Sequence, residues 1–113
     1  MIVHLALPED WAAAQAVGSY AVSTRGASIA EVGYLHACDS LAQAAGVAAL
    51  FYADVGDLEL LDLDEAALAA HGLRVVLEPG DPADPHSERF PHVYGGPIPL
   101  DVITARPWPA PTA

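Results

Sequence analysis

Ten prolines and nine glycines are scattered along 113 residues, and they keep every regular segment short. Proline cannot donate to a helix or sheet ladder and glycine favours turns, so long helices do not fit this chain. Between the breaks, apolar runs of strand length alternate with brief helical stretches, with no internal repeat and no linker. The alternation reads as a single small α+β domain, and 113 residues supply one hydrophobic core but not two.

Ile2 to Leu7 reads as the first strand. Pro8 then occupies the first position of a helix, with Glu9 and Asp10 suiting its N-terminus, and Gly18 stops it after about Val17. Trp11 and Ala14 share a face, which makes Trp11 a core residue rather than a cofactor stacker. Tyr20 to Ser23 is a short extended piece. Ser28 and Glu31 have the spacing of a capping box, for one helical turn ending at Gly33. Tyr34 to Cys38 resumes as a strand, whose period of two puts Tyr34, His36 and Cys38 on one face and the apolar Leu35 and Ala37 on the core side.

Asp39 or Ser40 caps a helix running to about Tyr52, whose apolar stripe predicts a core helix. In Leu58 to Leu63 the apolar positions change parity between Leu60 and Leu61, so that strand is either buried on both faces or bulged. Asp64 caps a short helix ending at His71-Gly72, and His71 reads as a charge at the helix terminus. Leu73 to Glu78 is a further strand, with Leu73, Val75 and Leu77 opposite Arg74, Val76 and Glu78. Pro79 to Pro91 reads as a mobile surface loop. Val93 to Pro107 gives one or two strands interrupted by Gly95-Gly96-Pro97, with prolines at edges and turns. The tail from residue 109 to 113 is expected to fray.

Charge excludes a class of partner. Fifteen acids stand against four arginines and no lysine, a formal charge of −11, and the deficit runs through both halves. A phosphate backbone is held chiefly by Lys and Arg, so a nucleic-acid partner is not expected. Arg25, Arg74, Arg89 or Arg106 could still hold one phosphate. Although 53% of the residues are hydrophobic, no run reaches the roughly 18 to 20 that cross a bilayer, and no basic leader precedes an apolar stretch. A soluble, cytoplasmic protein is expected. The single cysteine, Cys38, cannot form an internal disulfide and reads as a small buried hydrophobe.

The chemistry concentrates in two segments, GYLHAC from Gly33 to Cys38 and RFPHVYGGPIPL from Arg89 to Leu100, where His36 and His92 sit among tyrosines, glycines and prolines. Histidine titrates near neutrality and offers one donor and one acceptor, so it suits a phosphate, a ribose hydroxyl or a reacting proton. His4, in the first strand, reads equally as a hydrogen-bonded core histidine or as a ligand contact. Glu78 ends its strand beside Pro79, where a carboxylate can serve as a general base or bind ribose hydroxyls, or simply face solvent. Asp81, Asp84 and Glu88 do not alternate as calcium-loop ligands do, and the histidines lack a zinc spacing, so no metal is expected.

The order of IVHLA, Trp11, GYLHAC, DLELLDLD, Glu78 and FPHVYGGPIPLDVI resembles a family of small, mostly bacterial domains of unknown function, over about residues 1 to 106. That family is similar in fold to the ADP-ribosyltransferases. The resemblance implies one domain over residues 1 to 108, with split sheets, mixed or antiparallel, and a cleft that holds NAD, ADP-ribose or a related nucleotide. It implies binding roles for His4, Tyr34, His36, His92 and Tyr94, and catalytic roles for Glu78 and His36. The activities it implies are ADP-ribosyl transfer and NAD hydrolysis; a non-catalytic module for a small metabolite or phosphate is the alternative on the same scaffold.

Overall fold

In the computed structural model, which describes residues 2–108, most predicted breaks fall where proline, glycine and capping side chains place them. Strand β1 (Ile2–Ala6) leads into α1 (Pro8–Val17), which has Pro8 at its first turn and ends on Gly18. Three short strands follow, β2 (Ser19–Tyr20), β3 (Val22–Thr24) and β4 (Ala27–Ser28), and then α2 (Ile29–Val32). The Ser28–Glu31 capping box forms in both directions, and Gly33 closes the turn at φ 99°, a conformation that a Cβ would strain. Next come β5 (Leu35–His36), α3 (Leu41–Phe51) capped by Ser40, β6 (Leu58–Leu63) and α4 (Glu65–Ala70) capped by Asp64. The chain ends with β7 (Arg74–Pro79), β8 (Arg89–Tyr94), β9 (Ile98–Pro99), a 3₁₀ turn at Leu100–Val102 and β10 (Ile103–Trp108).

Two three-stranded sheets dominate. One has the order β1-β6-β10 and the other β5-β8-β7, with β2 on β9 and β3 on β4 as small ribbons. Every pairing among the described residues is antiparallel, the second of the two sheet types expected. The two sheets meet where Val3 and Cys38 exchange backbone hydrogen bonds of 2.9 and 2.7 Å.

The β1-β6-β10 sheet is buried on both faces. Leu61 and Leu63 enter one cluster with Ala14 of α1, Leu68 of α4, and Leu35 and Val93 of the other sheet. Leu58 and Leu60 enter a second cluster with Val3, Leu5, and Ala44 and Tyr52 around α3. Strand β6 pairs with β1 in unbroken register, so the change of parity marks a central strand and not a bulge.

Several expectations are corrected. Helix α3 is only partly a core helix: it buries Gln43 and Ala44, and Val47 and Ala48 pack on the second cluster, but Leu41, Leu50 and Phe51 are exposed because that side of the helix faces a cleft or solvent. The Tyr34-to-Cys38 strand is only two residues long. Strand β8 begins inside the predicted Pro79-to-Pro91 loop, and it is the central strand of its sheet, with Pro91 in the middle. The Pro91 carbonyl accepts from Ala37 N at 2.9 Å, but proline has no N–H to return, so the ladder with β5 stops there and the chain crosses to β1. The rest of that loop is wound into turns by Asp81, Asp84 and Ser87, whose side chains hold neighbouring backbone groups. Pro107 does lie in an edge strand, β10. The expected frayed tail lies outside the described residues.

Candidate functional site

Register puts the two sequence segments on one surface. His36 stands opposite His92, while Val76 and Glu78 of β7 stand opposite His92 and Phe90. Alternation sends Leu35 and Val93 into the core, both fully buried, and leaves His36, Phe90, His92, Tyr94 and Glu78 on the other face. Tyr34 lies flat on His92, with ring centroids 4.0 Å apart and an interplanar angle of 15°.

These side chains form one hydrogen-bonded row. The Tyr94 hydroxyl donates to Glu78 Oε1 at 2.5 Å, and His92 Nδ1 donates to the same oxygen at 2.9 Å. The far side of the His92 ring meets the next histidine, with Nε2 3.1 Å from His36 Nδ1. A carboxylate only accepts, so the His92 proton lies on Nδ1 and its Nε2 accepts from His36 Nδ1–H. The Nε2 of His36 is then left with a free lone pair. That atom has no protein partner, and it is not among the buried atoms that lack one, so it is open to the surroundings.

The electrostatics agree with this order of protons. Removal from water, helped by neighbouring His92, pushes His36 down to about 4, which keeps it a neutral base. Hydrogen bonds first from Tyr94 and then from His92 hold Glu78 below the ordinary carboxylate range, and the same carboxylate pushes Tyr94 up to about 12. Glu78 orients His92, and His92 orients His36. If His36 Nε2 takes a proton, Nδ1 can pass one to His92, whose imidazolium Glu78 would stabilise.

His4 completes the support from the other sheet. Its Nδ1 donates to the His36 carbonyl at 2.6 Å, and Tyr20 O–H donates to its Nε2 at 3.2 Å. Both nitrogens are thus occupied. The ring is buried, and desolvation pushes it down to about 4 despite the opposing bond to the His36 carbonyl.

His36 opens onto a cleft of about 660 Å³ between β3, α3 and the β7–β8 loop. Its wall includes His4, Tyr34 and His36 of the sequence-predicted residues, with Cys38 beside them; His92, Tyr94 and Glu78 stand behind it and reach it through His36. Arg25, one of the four arginines considered for a phosphate, is also on the wall. It already bonds both oxygens of Asp54, at 2.7 and 2.9 Å. A smaller cavity of about 300 Å³, beside Ala21, Ile29 and Gly96, contains none of the predicted residues. Among the described residues, no three metal-ligating side chains gather.

Sequence reasoning missed Ser23, Gln43 and Phe90 on the same wall. Gln43 is buried and ties α3 to β8: its Nε2 donates to the Arg89 carbonyl at 2.8 Å and to Glu88 Oε2 at 3.1 Å, and its Oε1 accepts from Asp39 N at 2.8 Å. The available signal was that it is the one polar side chain between Leu41 and Phe51. Cys38 is buried, and burial with nearby Asp39 and Glu88 pushes its thiol up to about 12. We expect folded protein to resist thiol alkylation at mildly alkaline pH while urea-unfolded protein reacts fully; rapid labelling of the folded form would disprove the buried assignment.

A family model described as "Protein of unknown function (DUF952)" matches residues 5–106. The chain belongs to the DUF952 family. Among solved structures, this DUF952 chain is similar to the X-ray crystal structure of protein CC0527 from Caulobacter crescentus, at 25% identity and a TM-score of 0.67, over 94% of this chain and 82% of that one. A double mutant of CC0527 has the same TM-score and coverage at 24% identity. No curated protein matches the DUF952 chain.

Proposed function

We propose that the cleft binds a small molecule of the nucleotide class, NAD or ADP-ribose, on an ADP-ribosyltransferase-like scaffold, with His36 Nε2 as the basic atom that meets it. The observation that carries this reading is the Tyr94–Glu78–His92–His36 row, which presents an oriented neutral imidazole to a cleft large enough for such a ligand. Tyr34 and Phe90 offer rings for stacking beside His36. The order of the histidine and glutamate motifs along the chain supports the same scaffold, though a shared fold leaves the chemistry open.

In this reading His36 is the contact residue. Glu78, His92, Tyr94 and His4 are positioning residues: the first three set its ring and proton, and the last sets its backbone. ADP-ribosyl transfer or NAD hydrolysis would use His36 to accept a proton from the attacking hydroxyl or water. A binding module would use the same nitrogen as a hydrogen-bond acceptor.

Calorimetric titration with NAD and with ADP-ribose, followed for nicotinamide release, tests the proposal. Binding is expected, and His36→Asn should weaken it about tenfold, the worth of one well-made hydrogen bond, with the folded circular-dichroism spectrum retained. Binding with release assigns an enzyme, and binding without release assigns a module. If neither nucleotide binds, the nucleotide reading fails.

A further inference from the structure

Strand β7 is an edge of its sheet: the order β5-β8-β7 leaves one side of it without a strand among the described residues. Its register with β8 is unbroken from Arg74–Tyr94 to Pro79–Arg89, so it has neither the bulge nor the lysine that blunts many exposed edges. Pro91 fixes where its backbone groups point. The Pro91 carbonyl is directed to β5, where it accepts from Ala37 N at 2.9 Å, and Leu77 stands opposite Pro91. Leu77 is therefore in a non-hydrogen-bonded pair with β8, as is Val75 two residues before it, and both direct N–H and C=O outward. Gly80 N donates to the Glu88 carbonyl at 2.8 Å, which puts the even-numbered residues on the β8 side. Pro79 ends the outward ladder, because it has no N–H to offer.

The side chains along this edge suit a second copy of the same strand. Val75 and Leu77 stand opposite the buried Val93 and Pro91, yet they are 38% and 55% exposed. About Val76 the segment Arg74-Val75-Val76-Leu77-Glu78 is self-complementary: an antiparallel copy centred there sets Val75 against Leu77 and Arg74 against Glu78. Arg74 lies over the Tyr94 ring, 5.4 Å from its centroid, and has no acid partner among the described residues, whereas Arg25 and Arg106 are bound to Asp54 and Asp62. Glu78 receives both Tyr94 and His92 on Oε1, which leaves Oε2 without a hydrogen bond among the described residues.

We propose that two copies of this chain pair through β7 across a two-fold axis at Val76. Val75 of each copy exchanges backbone hydrogen bonds with Leu77 of the other, and the side chains of these residues cover one another. The axis stands perpendicular to the sheet, so the two three-stranded sheets join into one, with both histidine rows on the same face. The partner's Arg74 meets Glu78 Oε2, and each copy thereby adds a cation to the carboxylate end of the other's row. Pairing of this kind is independent of what the cleft binds. The net charge of −11 on each copy opposes it at low salt.

Sedimentation equilibrium of the full chain at about 0.15 M salt, where long-range repulsion is screened, should show a monomer–dimer equilibrium with a Kd on the order of 10 μM, since a strand-to-strand contact is small. Leu77→Lys, at an exposed position, should keep the folded circular-dichroism spectrum and weaken association at least tenfold. Arg74→Glu, which sets carboxylate against carboxylate, should weaken it as strongly. Cysteine cross-linking reads the register. Air oxidation should link Val76→Cys to its own copy, because a non-hydrogen-bonded pair sets Cα atoms about 4.5 Å apart, within disulfide range. Leu77→Cys faces Val75 of the other copy, which puts its own counterpart beyond the roughly 7 Å limit, so it should link far more slowly. A chain that stays monomeric at about a hundred times that Kd overturns the proposal. So does a dimer indifferent to Leu77→Lys and Arg74→Glu, or one in which Val76→Cys links no faster than Leu77→Cys.

Discussion

The stability of this domain is expected to fall by several kcal/mol as pH drops from about 6.5 to about 4. His4 and His36 are both lowered from the ordinary value of 6.5 to about 4, chiefly because burial removes the charged ring from water. Across that interval the unfolded chain binds protons that the folded chain refuses. Stability therefore rises with pH through this window, is fully present above about 6.5, and is lost on acidification. That displacement corresponds to about 3 kcal/mol for one ring, and repulsion between the two neighbouring rings makes the pair worth less than twice that. Against a typical total of about 5–15 kcal/mol, this is a large fraction of the stability, most of it lost by about pH 4.

Glu78 acts in the same direction at lower pH. Its folded value is depressed by Tyr94 and His92, so its contribution is present above the unfolded carboxylate value and disappears as pH falls through the folded one. Urea denaturation at a series of pH values would measure the slope. His4→Gln, which can keep a donor for the His36 carbonyl, should flatten the slope between pH 6.5 and 4 whatever it does to stability at neutral pH. Stability independent of pH over that interval would show that neither ring is held neutral by burial.

Leu60→Ala and Leu61→Ala are expected to destabilise the protein by about 2–5 kcal/mol each, although neighbouring side chains on a strand point to opposite faces. The two leucines are 2% and 0% exposed, and they fill separate clusters on the two sides of the β1-β6-β10 sheet. Each truncation leaves a cavity that its own cluster cannot close without moving the sheet. A shift in thermal midpoint of many degrees is expected for both variants in a domain of this size. In a sheet with one solvated face, one of the pair would be nearly neutral. That result, found by denaturant unfolding, would contradict a sheet buried on both sides.

Much of the local structure was written in short-range chemistry. Pro8, Gly18, the Ser28–Glu31 box, Ser40 and Asp64 begin or end their helices through bonds spanning at most a few residues, which makes them readable from spacing. The period of two correctly placed Leu35 and Ala37 in the core and His36 on the opposite face. The loop expected from Pro79 to Pro91 holds over residues 80–88 but runs three residues too far into β8, because proline content does not say where the missing N–H falls. At Pro91 it falls where β5 ends, so a proline fits a central strand. The apolar stripe of α3 named a core that is partly a cleft wall, since periodicity reports which residues share a face and not what lies opposite.

The sequence by itself determined the residue types at the site, their alternation along each strand, and the scarcity of positive charge. Only the tertiary structure decided that Glu78 bonds His92 and stands behind the cleft wall, that both nitrogens of His4 are occupied, and that Ser23 and Gln43 belong to the same wall. These relations span pairs as far apart as His36 and His92, set 56 residues apart in the chain. They depend on antiparallel register and on the crossing from Cys38 to Val3, where no local rule reaches, because contacts of that range arise only once separate strands have packed on a common core.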